Sequence, residues 1–291
     1  MLNLAIVIVI ALSTASAMIG YQLYQKTTPE RLKNKQRIIV WWFILVGCLA
    51  VFHAGVTAIA LLLMVLLMLA TYELCAMLAV SLTITLSVLA SAIMAPLFYC
   101  SAVRPEQSSA IFILALLGAL TAYCLPQKPK ALALTLWLSA GFSLSSVLLI
   151  ATLAEASSNG AAHTLLFLFF VTAVNDVAQY TVGSALGKTP ITPRLSPNKT
   201  AEGLLGGILV TGACSALFLP KVLNVSWLWA LAIGVALSVA GFLGDVNISK
   251  LKRAVHVKDS GVLLPGHGGL LDRIDSLLTV APVFGLIMIM F

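Results

Sequence analysis

The chain has 291 residues, of which 60% are apolar and 9% charged, and its formal net charge is +7. A soluble domain carries about 25% charged residues, so this composition excludes an ordinary soluble protein, and the basic surplus fits the loops of a membrane protein, not a nucleic-acid surface. The cysteines Cys48, Cys75, Cys100, Cys124 and Cys214 are odd in number, form no CxxC pair and lie in or near apolar runs, so they read as free thiols acting as small apolar residues.

Uncharged runs of about 16 to 35 residues recur along the chain, and about 20 apolar residues span the hydrocarbon as a helix. They lack the alternation of a membrane barrel. The fold class expected is all-α: a polytopic helical membrane protein of about nine or ten spans, built as one integral domain. Residues 1–160 supply N-terminal helices, and residues 161–291 form the half that carries the polar motifs. In chain order the spans are placed at 2–24, 38–53, 55–77, 78–100, 109–124, 131–153, 162–184, 203–219, 226–245 and 271–291. The tight break at His53–Ala54–Gly55 leaves open whether the second and third spans are one bent element.

With the N-terminus outside, the inner loops hold fifteen Lys and Arg residues and the outer loops only Arg104 and Lys221. That is a strong positive-inside bias, and it puts loops 185–202 and 246–270 on the cytoplasmic side; a bacterial inner membrane is expected from the compact chain without long tails. The first span has a small-residue STASA stretch, as a signal peptide would. Its basic flank follows it instead of preceding it, which favours a retained helix.

Polar residues inside apolar sequence come next. Glu73, in TYELCAML, reads as a carboxylate that pairs within the bundle, with no catalytic role assigned. In NDVAQYTVGSALGK, Asp176, Gln179, Tyr180, Gly183 and Gly187 share one broad helix face. An intramembrane carboxylate faces a polar cavity or a partner. Asp176 is therefore either a tie between helices or part of a site. In SPNKTAEG, Ser196 is expected to cap a helix with Pro197 in its first turn. Lys199, Thr200 and the free N–H groups there could hold an anion, although an ordinary capped helix start explains the stretch as well.

The densest segment runs from Gly244 to Asp275. Asp245 ends an apolar span, and Ser249, Lys252 and Arg253 follow. Lys258, Asp259 and Gly261 open a loop that Pro265–Gly266–His267–Gly268–Gly269 closes, and Asp272, Arg273 and Asp275 start the last span. Gly-rich turns expose N–H groups to anions. Carboxylates at a membrane edge suit Mg²⁺, and Lys and Arg offset charge on transferring phosphates. A topology-setting basic loop would explain the cations but not a GHGG turn followed by three charged residues. His267 stays open between phosphate donor, acid–base group and turn residue; with no second His at ligand spacing, zinc is not expected.

On these residues the chain resembles the CDP-diacylglycerol synthase family, the phosphatidate cytidylyltransferases. The family's C-terminal signature is matched by Ser249, Lys252–Arg253, Lys258–Asp259, Gly261, Pro265–Gly269, Asp272–Arg273 and Asp275. Upstream, Asn175–Asp176, Tyr180, Gly183, Gly187–Lys188 and the stretch Ser196–Gly203 correspond as well. Two positions depart: Gln179 stands where the family commonly has Ala, and Ile248 where it usually has Glu before the serine.

The resemblance implies cytidylyl transfer from CTP to phosphatidic acid, giving CDP-diacylglycerol and pyrophosphate. It implies Mg²⁺, as one ion or two, held by Asp245 and Asp272 with Ser249 and Asp275. Lys258, Asp259 and His267 join Asp245 and Asp272 as catalytic residues. Asp176, Tyr180, Lys188, Ser196, Lys199, Lys252, Arg253, Gly268, Gly269 and Arg273 bind substrate. Expected partners are CTP, phosphatidic acid and membrane lipids, with a homodimer left open and no nucleic acid. Two other readings stand beside it: a CTP-dependent transferase for another membrane lipid phosphate or alcohol, and a lipid-binding or transport protein. The second is disfavoured because the charge sits at one edge and no inverted repeat is visible.

Overall fold

The computed structural model describes residues 42–44, 46–79, 117, 121, 129–156, 160–261, 263 and 268–291. The expected spans over 2–24, 78–100 and 109–124 lie outside the described residues, save positions 78, 79, 117 and 121, as does His267. Six helical spans among the described residues, the last running over Leu271–Met290, are long and apolar enough to cross a bilayer, so the chain is a polytopic α-helical membrane protein.

Helical residues reach His53, and the chain then breaks at Ala54–Gly55, where Gly55 has φ 93°. Only glycine takes that conformation cheaply. Helix α1 starts directly after it and runs Val56–Met77. Helix α2 is Pro129–Ala156 and α3 is Ala161–Leu186. A short antiparallel hairpin follows, with β1 at Pro190–Thr192 and β2 at Ser196–Thr200, paired Pro190 to Thr200 and Thr192 to Ser196. Helix α4 is Ala201–Leu223, and Asn224, in the left-handed region, ends it. Ser226 caps α5, Trp227–Ala254, by accepting a hydrogen bond from the Trp229 N–H. The chain closes with the four-residue helix α6, Leu271–Ile274, and α7, Leu277–Met290.

Two differences from the expected elements matter for the site. SPNKT is a strand and not a helix start, so Ser196 is no cap. Thr200 caps α4 instead, its Oγ1 accepting the Gly203 N–H at 3.1 Å. Proline at 197 is compatible with a two-stranded edge as well as with a first helical turn, and only pairing with Pro190–Thr192 decides between them. Helix α5, in turn, continues beyond the apolar span at 226–245 to Ala254. It therefore carries Asp245, Ser249 and Lys252 along one stripe of a rigid rod, since positions i, i+4 and i+7 share a helix face.

Close backbone approach fixes α3 against α4. A Cβ on Gly203 would lie 2.7 Å from the Gln179 carbonyl oxygen and 3.1 Å from the Gly183 Cα. Asn175 ties three helices: its Oδ1 accepts from Ser238 Oγ of α5 at 2.6 Å and from Thr211 Oγ1 of α4 at 3.3 Å. Helix α1 packs on α2, where the Trp137 Nε1 donates to Thr71 Oγ1 at 3.0 Å. Apolar residues of α1, α2, α3, α5 and α7 form the common core, among them Leu67, Leu148, Phe167, Ile248 and Phe284.

Candidate active site

The polar cluster gathers where α5, α6 and the end of α3 meet the hairpin. From β2, Lys199 reaches across to α5 and places its Nζ 2.5 Å from Asp245 Oδ2; the Asp245 side chain is 38% exposed. One turn on, the Ser249 hydroxyl donates to Asp245 Oδ1 at 3.4 Å. From α3, Asp176 accepts the Ser276 hydroxyl at 2.9 Å. Buried Asp275, between α6 and α7, accepts the Ser276 N–H at 2.8 Å and lies within electrostatic reach of Asp245, Asp176 and Lys199. Three carboxylates and one ammonium thus converge from four elements.

Gly244 makes this possible. A Cβ there would collide with the Asp275 carbonyl oxygen and lie 2.5 Å from Thr279 Oγ1. Helix α5 therefore lies against the α6–α7 junction with no room for a side chain, which brings Asp245 beside Asp275.

A second group lies further along the same α5 stripe. Lys252 Nζ sits 2.6 Å from Asp272 Oδ1. Asp272 Oδ2 accepts from the Ser260 N–H at 2.8 Å, the Ser260 hydroxyl at 3.1 Å and the Gly269 N–H at 3.3 Å. The hydroxyl of Ser260 is also 3.1 Å from Glu73 Oε2, and Glu73 accepts the Leu270 and Leu271 N–H groups at 2.7 and 2.8 Å.

The remaining expected residues take varied places. Arg253 is exposed and holds the hairpin loop, its Nε donating to the Leu195 carbonyl at 3.1 Å and an Nη to that of Val257 at 3.3 Å. Lys258, Asp259 and Arg273 are exposed on the same edge, and Gly268, with φ 82°, and Gly269 form the return of the loop. Tyr180 is 76% exposed, one turn beyond Asp176 on α3. The side chain of Lys188 is exposed, and its N–H donates to Glu202 at 3.1 Å. Ser196 lies half-buried in β2.

The sequence pattern of the cytidylyltransferase family matches residues 35–291. The chain belongs to that family. Three curated relatives share about half of their length with it. The Escherichia coli (strain K12) relative called "Uncharacterized protein YnbB" is 45% identical over 148 residues, 51% of this chain and 50% of that protein. The phosphatidate cytidylyltransferase of Bacillus subtilis (strain 168) is 43% identical over 133 residues, 44% of this chain and 49% of that protein. The phosphatidate cytidylyltransferase of Staphylococcus saprophyticus is 39% identical over 163 residues, 53% of this chain and 60% of that protein.

The cytidylyltransferase family is consistent with a divalent metal, and the donor chemistry here agrees. Carboxylate and hydroxyl oxygens are hard donors of the kind such ions take. Asp176, Asp245 and Asp275 outnumber the single ammonium of Lys199. Among the described residues, no three His, Cys, Asp or Glu side chains stand close enough together to hold an ion as they are. Asp272, expected in the metal set, already has both oxygens engaged by Lys252, Ser260 and Gly269.

The two departures from the family pattern have separate surroundings. Ile248 is 1% exposed and packs in the apolar core. Gln179 donates to Asn175 Oδ1 at 3.0 Å and to the Ser238 carbonyl at 3.4 Å, which stitches α3 to α5. Sequence reasoning missed Ser260, Ser276 and the contact of Glu73 with the loop. A carboxylate within an apolar run was the one signal for Glu73; isolated serines carry none.

Proposed function

We propose that this chain transfers a cytidylyl group from CTP to phosphatidic acid, forming CDP-diacylglycerol in the cytoplasmic leaflet of the inner membrane. The observation that carries the reading is the convergence of Asp176, Asp245, Asp275 and Lys199 on a rigid, cation-bearing helix. The names of the Bacillus and Staphylococcus relatives support the acceptor.

An oxygen of the phosphatidate phosphate attacks the α-phosphorus of CTP. That P–O bond forms as the bond to the β-phosphate bridging oxygen breaks, and pyrophosphate leaves with the electron pair. No covalent enzyme intermediate is required. Both reactants are anionic, so the work of the site is alignment and neutralisation. Asp245 and Asp275, with Ser249 and Asp272, would hold Mg²⁺, which when bound supplies positive charge to the phosphates. Lys199 has a carboxylate partner it can exchange for a phosphate oxygen, and Lys252, Lys258 and Arg253 bring further cationic charge. His267 belongs to the same phosphate loop in this reading. Asp176 and Tyr180, on the open face of α3, flank the route of the lipid headgroup while the acyl chains stay in the bilayer.

Gln179 favours a second reading, an acceptor other than phosphatidic acid, because it departs from the family beside Asp176. Purified protein in detergent, supplied with labelled CTP, Mg²⁺ and a panel of lipid phosphates, separates the two. The expected result is Mg²⁺-dependent pyrophosphate release with CDP-diacylglycerol as product, abolished by EDTA and in Asp245→Asn. Turnover with another lipid phosphate alone would move the assignment to that acceptor, and no release with any would remove both readings.

A further inference from the structure

Glu73 is a carboxylate with 1% exposure, one turn from the end of α1, far in sequence from every residue assigned above. The loop wraps onto it from both sides. On one side the Ser260 hydroxyl is 3.1 Å from Oε2. On the other the Leu270 N–H donates to Oε1 at 2.7 Å and the Leu271 N–H to Oε2 at 2.8 Å. Helix α6 has no side-chain cap of its own, so Glu73 supplies one from another helix.

Two glycines of the motif are explained by this contact. A Cβ on Gly261 would lie 2.8 Å from Glu73 Oε1, and one on Gly269 would lie 2.7 Å from Oε2 and collide with Ser260 Oγ. The backbone of both loop arms is therefore laid directly on the carboxylate. From there one hydrogen-bonded chain leads to the site: Glu73, the Ser260 hydroxyl, Asp272 Oδ2 at 3.1 Å, and Lys252 on Asp272 Oδ1 at 2.6 Å. Ser260 has one hydroxyl proton for two carboxylates, so their spacing is set jointly. At its base, Glu73 is steadied by α2, since Trp137 holds Thr71 two residues away.

We infer that Glu73 is a positioning residue for cytidylyl transfer: from α1 it fixes the phosphate loop, and through Ser260 it sets where Asp272 and Lys252 stand. The inference rests on the transfer reading above. A simple bundle tie would need one partner on a neighbouring helix; Glu73 instead takes three hydrogen bonds from the loop and the start of α6.

The test uses full-length protein in detergent, with Glu73→Gln, Glu73→Asp, Ser260→Ala and the Glu73→Gln/Ser260→Ala pair. Glutamine turns an N–H₂ toward one of the two backbone donors. The expected result is a kcat about tenfold lower or more, a KM for CTP within about twofold of wild type, partial recovery in Glu73→Asp, and a double variant no worse than the poorer single one. Hydrogen exchange should quicken in the peptide 258–272 and not in α3 or α4. Wild-type kcat per folded molecule with a lower Tm would overturn the inference, as would additive losses or exchange that rises evenly over all helices. If Glu73→Gln does not fold, Ser260→Ala is read by the same kcat and exchange criteria. If the wild-type protein transfers nothing to phosphatidic acid, the function reading falls, and the exchange pattern alone decides for or against Glu73 as the anchor of the loop.

Discussion

At the residue scale, the site is an arrangement of carboxylates each answered by a specific partner. Asp245 has Lys199 and Ser249, Asp272 has Lys252, Ser260 and Gly269, and Asp176 has Ser276. Replacing one side of such a pair leaves the other without its counter-charge. Lys199→Met is expected to lower kcat/KM for CTP by about 10²-fold or more, measured by pyrophosphate release per folded molecule. A variant of wild-type activity would remove Lys199 from the phosphate-handling set. The sequence motif named Asp176, Lys199, Asp245, Ser249, Lys252 and Asp272 but neither Ser260 nor Ser276, and it did not show the pairing. Lys199 and Asp245 belong to a strand and a helix that no spacing rule connects.

At the element scale, the site depends on where elements stop and how closely they cross. Thr200 ends the hairpin and starts α4, and its loss in Thr200→Ala is expected to cost about 1 kcal/mol, read as a lower Tm and a slower rate from the displaced Lys199. Ser196→Ala, the position expected from sequence to be the cap, should leave Tm within error. Gly244→Ala is the sharper probe, since its Cβ meets the Asp275 backbone, which no rotamer change relieves. It should destabilise by about 1–3 kcal/mol and abolish most activity by parting Asp245 from Asp275. Normal turnover in Gly244→Ala would mean that these carboxylates do not act together. Apolar run length located α1 to α4 to within about four residues at each end and took α6 and α7 together as one span, because apolar length alone marks a span. It ended α5 too early, since a helix leaving the membrane loses its apolar signal while its backbone hydrogen bonds continue to Ala254.

At the scale of the whole molecule, α1, α3 and α5 end, and α6 begins, at one edge. Glu73 and Asp272 share Ser260 there, and Arg253 touches the hairpin that follows α3. The loop charges predict that this edge is cytoplasmic. Single cysteines introduced at Arg194 and at Lys258, in a background lacking the five native ones, should react with an impermeant maleimide in inside-out vesicles and not in intact cells. Labelling from the outer face would invert the topology and remove access to cytosolic CTP.

The sequence by itself determined that this chain crosses a membrane many times, which edge gathers its charge and which family it joins. Those properties follow from apolar run length, from Lys and Arg counts, and from a motif at fixed spacing, all local along the chain. Only the tertiary structure decided which carboxylate meets which lysine, that SPNKT pairs as a strand, and that Glu73 accepts hydrogen bonds from Ser260, Leu270 and Leu271. These depend on contacts between residues up to 198 positions apart. Such contacts are selected by helix crossings at glycines and by the cost of leaving a buried polar group unpaired, and neither leaves a periodic trace in the sequence.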